Sequence, residues 1–254
     1  MSKPQNSSKK DKSANNGSPI LRFFVKTGIL FAGLFLCGVL LAGMALALAW
    51  PNLPDLHAMT DYRPRVPLRV YTADKVLIGE FGEERRNVLR FNEIPDVMKS
   101  AVLAAEDDRF YQHGGIDWTG VVRAGLTNLI NMSKTQGAST ITMQVARNFY
   151  LSSEKTYSRK FYELLLTFKI ESELSKDQIL ELYMNQIYLG HRAYGFAAAS
   201  RTYFGKPLAE VTPAEAAMLA GIPKAPSRFN PISNRPRAEL RQRYVLGRML
   251  SLGY

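Results

Sequence analysis

Thiols are nearly absent from this chain: Cys37 is the one cysteine in 254 residues. No internal disulfide can form, and no zinc site can be built on thiolates. Histidine is almost as scarce. His57, His113 and His191 are widely separated, which argues against a histidine-based metal site. Acids are in short supply too, with 22 Asp and Glu against 33 Lys and Arg, a net charge of +11. That balance favours an anionic partner: a phospholipid surface, a phosphorylated substrate or nucleic acid. No internal repeat is visible.

What is there begins with a polar tail. Residues 1–19 are rich in Ser, Asn and Lys, too polar to build a core, and read as disordered. From Thr27 to Trp50 there is no charge, and Leu, Ala, Gly and Phe dominate. That run is long enough to cross a bilayer as a helix. Lys9, Lys10, Lys12, Arg22 and Lys26 precede it against the single acid Asp11. The excess of basic residues places the N-terminus in the cytoplasm and everything after Trp50 outside. Ala45-Leu46-Ala47 and Ala47-Leu48-Ala49 resemble signal-peptide cleavage sites, but the apolar run exceeds a signal core, so an uncleaved anchor is favoured. Cys37 is then a small apolar residue of that helix. The resulting division is a basic tail (1–26), an anchor (27–50), a linker (51–67) marked by Pro51, Pro54, Pro64 and Pro67, and a domain (68–254).

In that domain Leu68–Glu80 alternates around a turn at Ala73-Asp74-Lys75 and predicts a β-hairpin, with a continuation through Val88–Phe91. From Ile94 the periodicity is helical. Helices are expected over Val97–Asp107, Asp117–Asn131, Ser139–Tyr150 with Ser139 as N-cap, Ser158–Glu173, Lys176–Leu189, Tyr194–Tyr203, Pro213–Ala220 and Pro236–Leu252. The fold class is therefore mainly α with a small β-hairpin, behind one transmembrane helix.

The chemistry centres on Glu106–Gly114, EDDRFYQHG. Continued helix would put Glu106 and Phe110 one turn apart on an apolar side, and a carboxylate there has its pKa raised and can act as a base. Gly137–Gln144, GASTITMQ, puts small and hydroxylated residues at a helix start, where backbone N–H groups suit an anionic or sugar ligand; an ordinary capped helix reads the same way. Arg147, Lys155, Arg159 and Lys160 approach Glu163 in sequence. Arg159 and Glu163 are either a surface pair of little worth or part of a diphosphate site. Lys176–Gly190, KDQILELYMNQIYLG, carries a core face of Ile179, Leu182, Tyr183 and Ile187. Asn185 on that face reads first as a satisfied core amide and second as a positioning residue.

These blocks, with RKFYE (Arg159–Glu163) and RQRYVLGRM (Arg241–Met249), occur in order. Together they resemble the five-motif pattern of the family 51 peptidoglycan glycosyltransferases, found in class A penicillin-binding proteins and in monofunctional enzymes. The linker and hairpin look more like the class A type. The resemblance implies a lysozyme-like α domain that polymerises lipid II onto a growing glycan strand at the outer face of the bacterial inner membrane. It implies catalytic roles for Glu106, the base, and for Glu163, which orients the reacting groups. It implies substrate or diphosphate contacts for Ser139, Thr140, Gln144, Arg147, Lys155, Arg159 and Lys160, and motif roles for Asp107, Phe110, His113, Gly114 and Asn185. No cofactor is required, although Asp107 and Asp108 leave room for a divalent cation such as Mg. The expected partners are membrane lipid and other cell-wall synthesis proteins. Nucleic acid is not expected, because the basic domain lies outside the cell.

Met143 departs from the pattern, which has Gln there; a substrate contact would be lost, whereas a packing position would tolerate Met. In the family the segment between the first two motifs is apolar and touches the membrane. Here it is Asp117–Gln136, with Trp118, Leu126, Leu129, Ile130 and Met132 beside Arg123 and Lys134. Matches to the SxxK, SxN and KTG signatures of a second class A domain, at Ser7–Lys10, Ser13–Asn15, Lys26–Gly28 and Ser152–Lys155, arise by chance. A lytic transglycosylase or muramidase shares a helical fold and one catalytic Glu, but cleaving an uncharged linkage needs no cationic clamp. A glycan-binding scaffold is the non-enzymatic alternative.

Overall fold

The computed structural model describes residues 19–53, 68–74, 77–81, 85–131, 137, 139–150 and 157–254. The chain divides into two compact units, Met1–Asn52 and Leu53–Tyr254. In the first, helix α1 (Pro19–Ala49) runs through the apolar stretch. Its segment Arg22–Ala49 is long and apolar enough to cross a membrane. It gives way to a tight turn at Trp50–Asn52, where Pro51 cannot continue the backbone ladder. Basic residues 9, 10 and 12 and most of the linker lie outside the described residues.

The second unit opens with the hairpin, β1 (Leu68–Tyr71) antiparallel to β2 (Leu77–Phe81), with Leu68 opposite Phe81. Ala73 and Asp74 make the turn, and Lys75 lies outside the described residues. The expected third strand does not follow. A short strand β3 (Arg85–Arg86) pairs in parallel with β4 (Ala193–Tyr194). Val88–Phe91 is held by side chains instead of a ladder, before a turn of 3₁₀ helix at Phe91–Glu93.

The rest is helical: α2 (Asp96–Glu106), α3 (Trp118–Ile130), α4 (Ile141–Tyr150), α5 (Tyr157–Glu173), α6 (Lys176–Gln186), α7 (Phe196–Phe204), α8 (Pro213–Gly221) and α9 (Arg235–Leu252). Two three-helix clusters form the core. Helices α2, α8 and α9 pack on one another, and so do α4, α5 and α6, with α7 touching both α6 and α8. Small residues permit the close approaches. Ala101, Ala104, Ala216, Ala217 and Ala220 are all buried where α2 meets α8. Gly221 lies so near α9 that a Cβ would come within 2.7 Å of Arg241 Cγ. Helix α3 is different. It buries Gly120 and Ala124 and leaves Trp118, Val122, Leu126, Leu129 and Ile130 exposed.

Helix α6 ends at Gln186, short of the expected Leu189, and α7 starts at Phe196 because Tyr194 pairs in β4; two further boundaries move for local reasons. Helix α2 stops at Glu106 because Asp107 leaves helical φ and ψ (−159°, 82°), so Glu106 and Phe110 share no helical face. Phe110 is buried in its own short turn instead. Helix α4 begins at Ile141, and the cap is Thr140, not Ser139: its Oγ1 accepts from Met143 N at 3.2 Å and donates to Gly115 O at 2.6 Å.

Candidate active site

Glu106 is the last residue of α2, and the loop after it is pinned in three places. Asp107, buried, accepts from Ile141 N at 3.1 Å and contacts His113 Nε2 at 3.0 Å. This one carboxylate ties the loop to the start of α4. Asp108 accepts from Arg248 on α9 at 2.5 Å. Asp117 caps α3 through Gly120 N at 3.0 Å and pairs with Arg109. Asp107 and Asp108 thus face different partners. Among the described residues no group of three His, Cys, Asp or Glu is placed to hold a metal.

Gln144, one turn into α4, donates its Nε2 to Glu106 Oε2 at 2.8 Å. Burial is the largest influence on the Glu106 carboxyl and pushes its pKa up; Asp107 adds to the rise. The Gln144 hydrogen bond, Arg241 and Lys224 oppose the rise without cancelling it. The carboxyl opens onto a cavity of about 600 Å³. Lining it are Ser139, Gly137, Gln144 and Arg147 from the α4 side, Lys224 after α8, Arg241, Tyr244 and Arg248 from α9, and Arg123 from α3. Arg241 is buried, donates to Ala105 O at 3.5 Å, and lies 4.3 Å from the centre of the Tyr244 ring.

Arg147 links this cavity to the second carboxylate. Its Nε is 3.4 Å from Glu163 Oε2, and Lys160 binds the other oxygen. The Glu163 side chain is 1% exposed, so these two cations are what its buried oxygens meet. Arg159 sits one turn before Glu163 on α5, partly buried. Glu163, Arg159 and Lys160 are not among the residues lining the cavity; Glu163, with Lys160 on its other oxygen, connects to it through Arg147. Lys155 lies outside the described residues, as do Met132 and Lys134.

The remaining motif residues have structural places. His113 backs Asp107, and Phe110 packs under the Lys176 ammonium, 4.4 Å from the ring centre. Asn185 is buried away from the cavity, accepting from Leu89 N at 3.0 Å and donating to Leu89 O at 2.8 Å. Gly114 has open space around its Cα, whereas Gly115 has φ +89° and a Cβ there would meet Thr167 Cγ2 at 2.6 Å. The glycine that the backbone needs is therefore Gly115. Met143 is buried, a packing position with no access to a substrate. Sequence reasoning gave no role to Lys224, Arg241 or Arg248. The two arginines stood inside a quoted motif, but only the packing of α9 on α2 brings them to Glu106.

The site sets one buried acid among arginines and lysines on a helical scaffold, and residues 74–250 match the family described as Transglycosylase. The chain belongs to that family. It is 56% identical over 221 residues to penicillin-binding protein 1A of Neisseria gonorrhoeae, covering 87% of this chain and 28% of that protein. It is also 56% identical over 216 residues to a Cupriavidus necator protein with a provisional transglycosylase name, covering 85% of this chain and 84% of that one. A crystal structure of penicillin-binding protein 1A from Haemophilus influenzae is 32% identical, with a TM-score of 0.42 over 76% of this chain and 19% of that chain. The chain thus spans little more than a quarter of its penicillin-binding relatives.

Proposed function

We propose that this chain is a membrane-anchored peptidoglycan glycosyltransferase that polymerises lipid II. The observation that carries the reading is Glu106, a carboxyl raised by burial, facing a cavity lined by Arg123, Arg147, Lys224, Arg241 and Arg248. A raised carboxyl is matched to accepting a proton near neutral pH. In the proposed step Glu106 takes the proton of the acceptor 4-hydroxyl. The hydroxyl oxygen forms a bond to the donor anomeric carbon, and the bond from that carbon to the diphosphate oxygen breaks with inversion. Undecaprenyl diphosphate leaves with the electron pair. A diphosphate departs without an acid but needs its charge held. Both donor and acceptor carry one, which suits the several cations that line the cavity with Glu106. Glu163 orients Arg147 for the leaving diphosphate, with Arg159 and Lys160 as further cations on α5; a diphosphate role for Lys155 rests on its place in the sequence motif alone.

A lytic enzyme is disfavoured by the same cations, because its glycosidic substrate carries no diphosphate. Anchoring follows from α1, with the N-terminus cytoplasmic and the domain outside the inner membrane. The exposed Trp118, Val122, Leu126, Leu129 and Ile130 of α3 suit an interfacial helix. Side-chain cations serve where a metal would, so turnover is expected to survive chelation; a divalent cation such as Mg would need ligands other than Asp107 and Asp108.

The test is polymerisation of labelled lipid II in detergent by wild type and Glu106→Gln, both shown folded by circular dichroism. Ladders from the wild type alone support the reading. Digestion of finished peptidoglycan would move it to the lytic class, and full function with Glu106→Gln would favour a scaffold.

A further inference from the structure

Tyr183 lies on α6 and is completely buried, one of the largest side chains that sees no solvent. Its ring packs against Phe196, 6.4 Å between centres. Its hydroxyl has no hydrogen-bond partner among the described residues. A buried hydroxyl left unpaired is disfavoured, and a phenylalanine would fill the same space without that cost. The hydroxyl therefore needs an explanation beyond packing.

The charges that act on it are Glu106 and Arg147. Arg147 Nε is likewise buried and makes no hydrogen bond among the described residues, only its ion pair to Glu163. Helix α6, which carries this unpaired hydroxyl, packs on α4, which carries both Arg147 and the Gln144 amide that reaches Glu106 Oε2 at 2.8 Å. We propose that the Tyr183 hydroxyl is a positioning residue for Glu106, donating to the ionised carboxylate while accepting from Arg147. This rests on the reading of Glu106 as the base. The pairing uses one donor and one lone pair of the hydroxyl and joins Glu163, Arg147, Tyr183 and Glu106 in a single chain. Burial, reinforced by Glu106, pushes the Tyr183 pKa well above its ordinary value, so the hydroxyl stays protonated and available as a donor. The other groups facing Glu106 are Gln144 from α4, Lys224 after α8, Arg241 from α9 and its neighbour Asp107. None of them connects it to Glu163.

The test replaces Tyr183 by Phe in the full chain in detergent and follows kcat and KM for labelled lipid II against pH. The expected result is a melting temperature at or above wild type, KM within about twofold and kcat lower by about 10- to 100-fold. The acid limb of the pH profile should move up by roughly half a unit or more, because the carboxylate loses a donor. A second variant carries 3,5-difluorotyrosine at position 183, a ring of similar shape with a stronger donor; its acid limb should move down. Unchanged kcat and an unmoved acid limb in both variants would overturn the proposal and leave Tyr183 a core residue. Carboxyl-¹³C titration of Glu106, assigned against Glu106→Gln, reads the same shift without turnover. If the wild type makes no glycan, the functional reading fails, while this titration still decides for or against the link to Tyr183.

Discussion

The Asp107 carboxylate lies 3.1 Å from the backbone N–H of Ile141, so the residue after the proposed base also holds the first turn of the helix that carries Gln144 and Arg147. Its other contact, His113 Nε2, is buried as well. Truncation by Asp107→Ala would strand both groups, and the expected loss of stability is about 2–4 kcal/mol. Asp107→Asn keeps an acceptor for Ile141 and should lose about half as much. Urea unfolding in detergent measures both. Equal stability of Asp107→Ala and wild type would show that the tie between loop and α4 carries no weight.

Asn185 separates two roles that its motif leaves open. Its amide is used up on both sides of Leu89, which it fixes where a third strand would otherwise run. Glu181 takes Phe91 N at 2.6 Å in the same way. Asn185→Ala should therefore destabilise the domain by about 2 kcal/mol, since two hydrogen bonds vanish and Leu89 is left partly buried. Well below its melting temperature, kcat and KM should match wild type. A fall in kcat without a fall in melting temperature would instead mean that Asn185 serves the reaction.

The same two residues show where sequence reading succeeds and fails. Helix positions were legible because their apolar period is local: α8 starts at Pro213 and α9 ends at Leu252 as the pattern predicts. Val88–Phe91 has the alternation of a strand, but its partner is an amide from a distant helix, which periodicity cannot reveal. Ser139 and Thr140 are equally good caps by type, and the choice falls to Thr140 because its hydroxyl also reaches Gly115 O. Gly114 ends the quoted motif, yet the positive φ belongs to Gly115, whose neighbour Thr167 lies on α5. The acids of the site were readable from EDDRFYQHG and RKFYE. The cations Lys224, Arg241 and Arg248 were not, since only tertiary packing brings them to the cavity.

Asp117 predicts an acid-sensitive element. Burial alone would raise its carboxyl, but Arg109, Gly120 N–H and Thr119 outweigh that and hold its pKa down to about 2. A carboxyl lower in the folded than in the unfolded state stabilises the fold above its ordinary value of 3.8, and the gain disappears as pH falls toward 2. With Arg109 about a third exposed, solvent reduces the effect to on the order of 1 kcal/mol. Thermal melts between pH 2 and 6 should show Asp117→Asn losing less stability on acidification than wild type. Parallel curves would contradict the assignment.

Glu106 has the opposite sign and gives the sharpest test of how the site is built. Its folded pKa lies above the ordinary 4.5, so the fold favours the protonated carboxyl, and ionising it works against stability. The penalty is absent below the ordinary value, grows as pH rises through the folded value, and is constant beyond. Glu106→Gln removes the charge and keeps an oxygen for the Gln144 amide. At pH 4 the variant and wild type should therefore melt together, and at pH 8 the variant should melt higher while making no glycan. Over the same range, kcat/KM of the wild type should fall as pH drops through the raised pKa, since only the ionised carboxylate accepts a proton. A flat rate profile from pH 5 to 7, or a variant less stable than wild type at pH 8, would mean that burial does not set this carboxyl. The combination of a more stable fold with lost turnover would identify Glu106 as a charge kept for chemistry at the expense of stability.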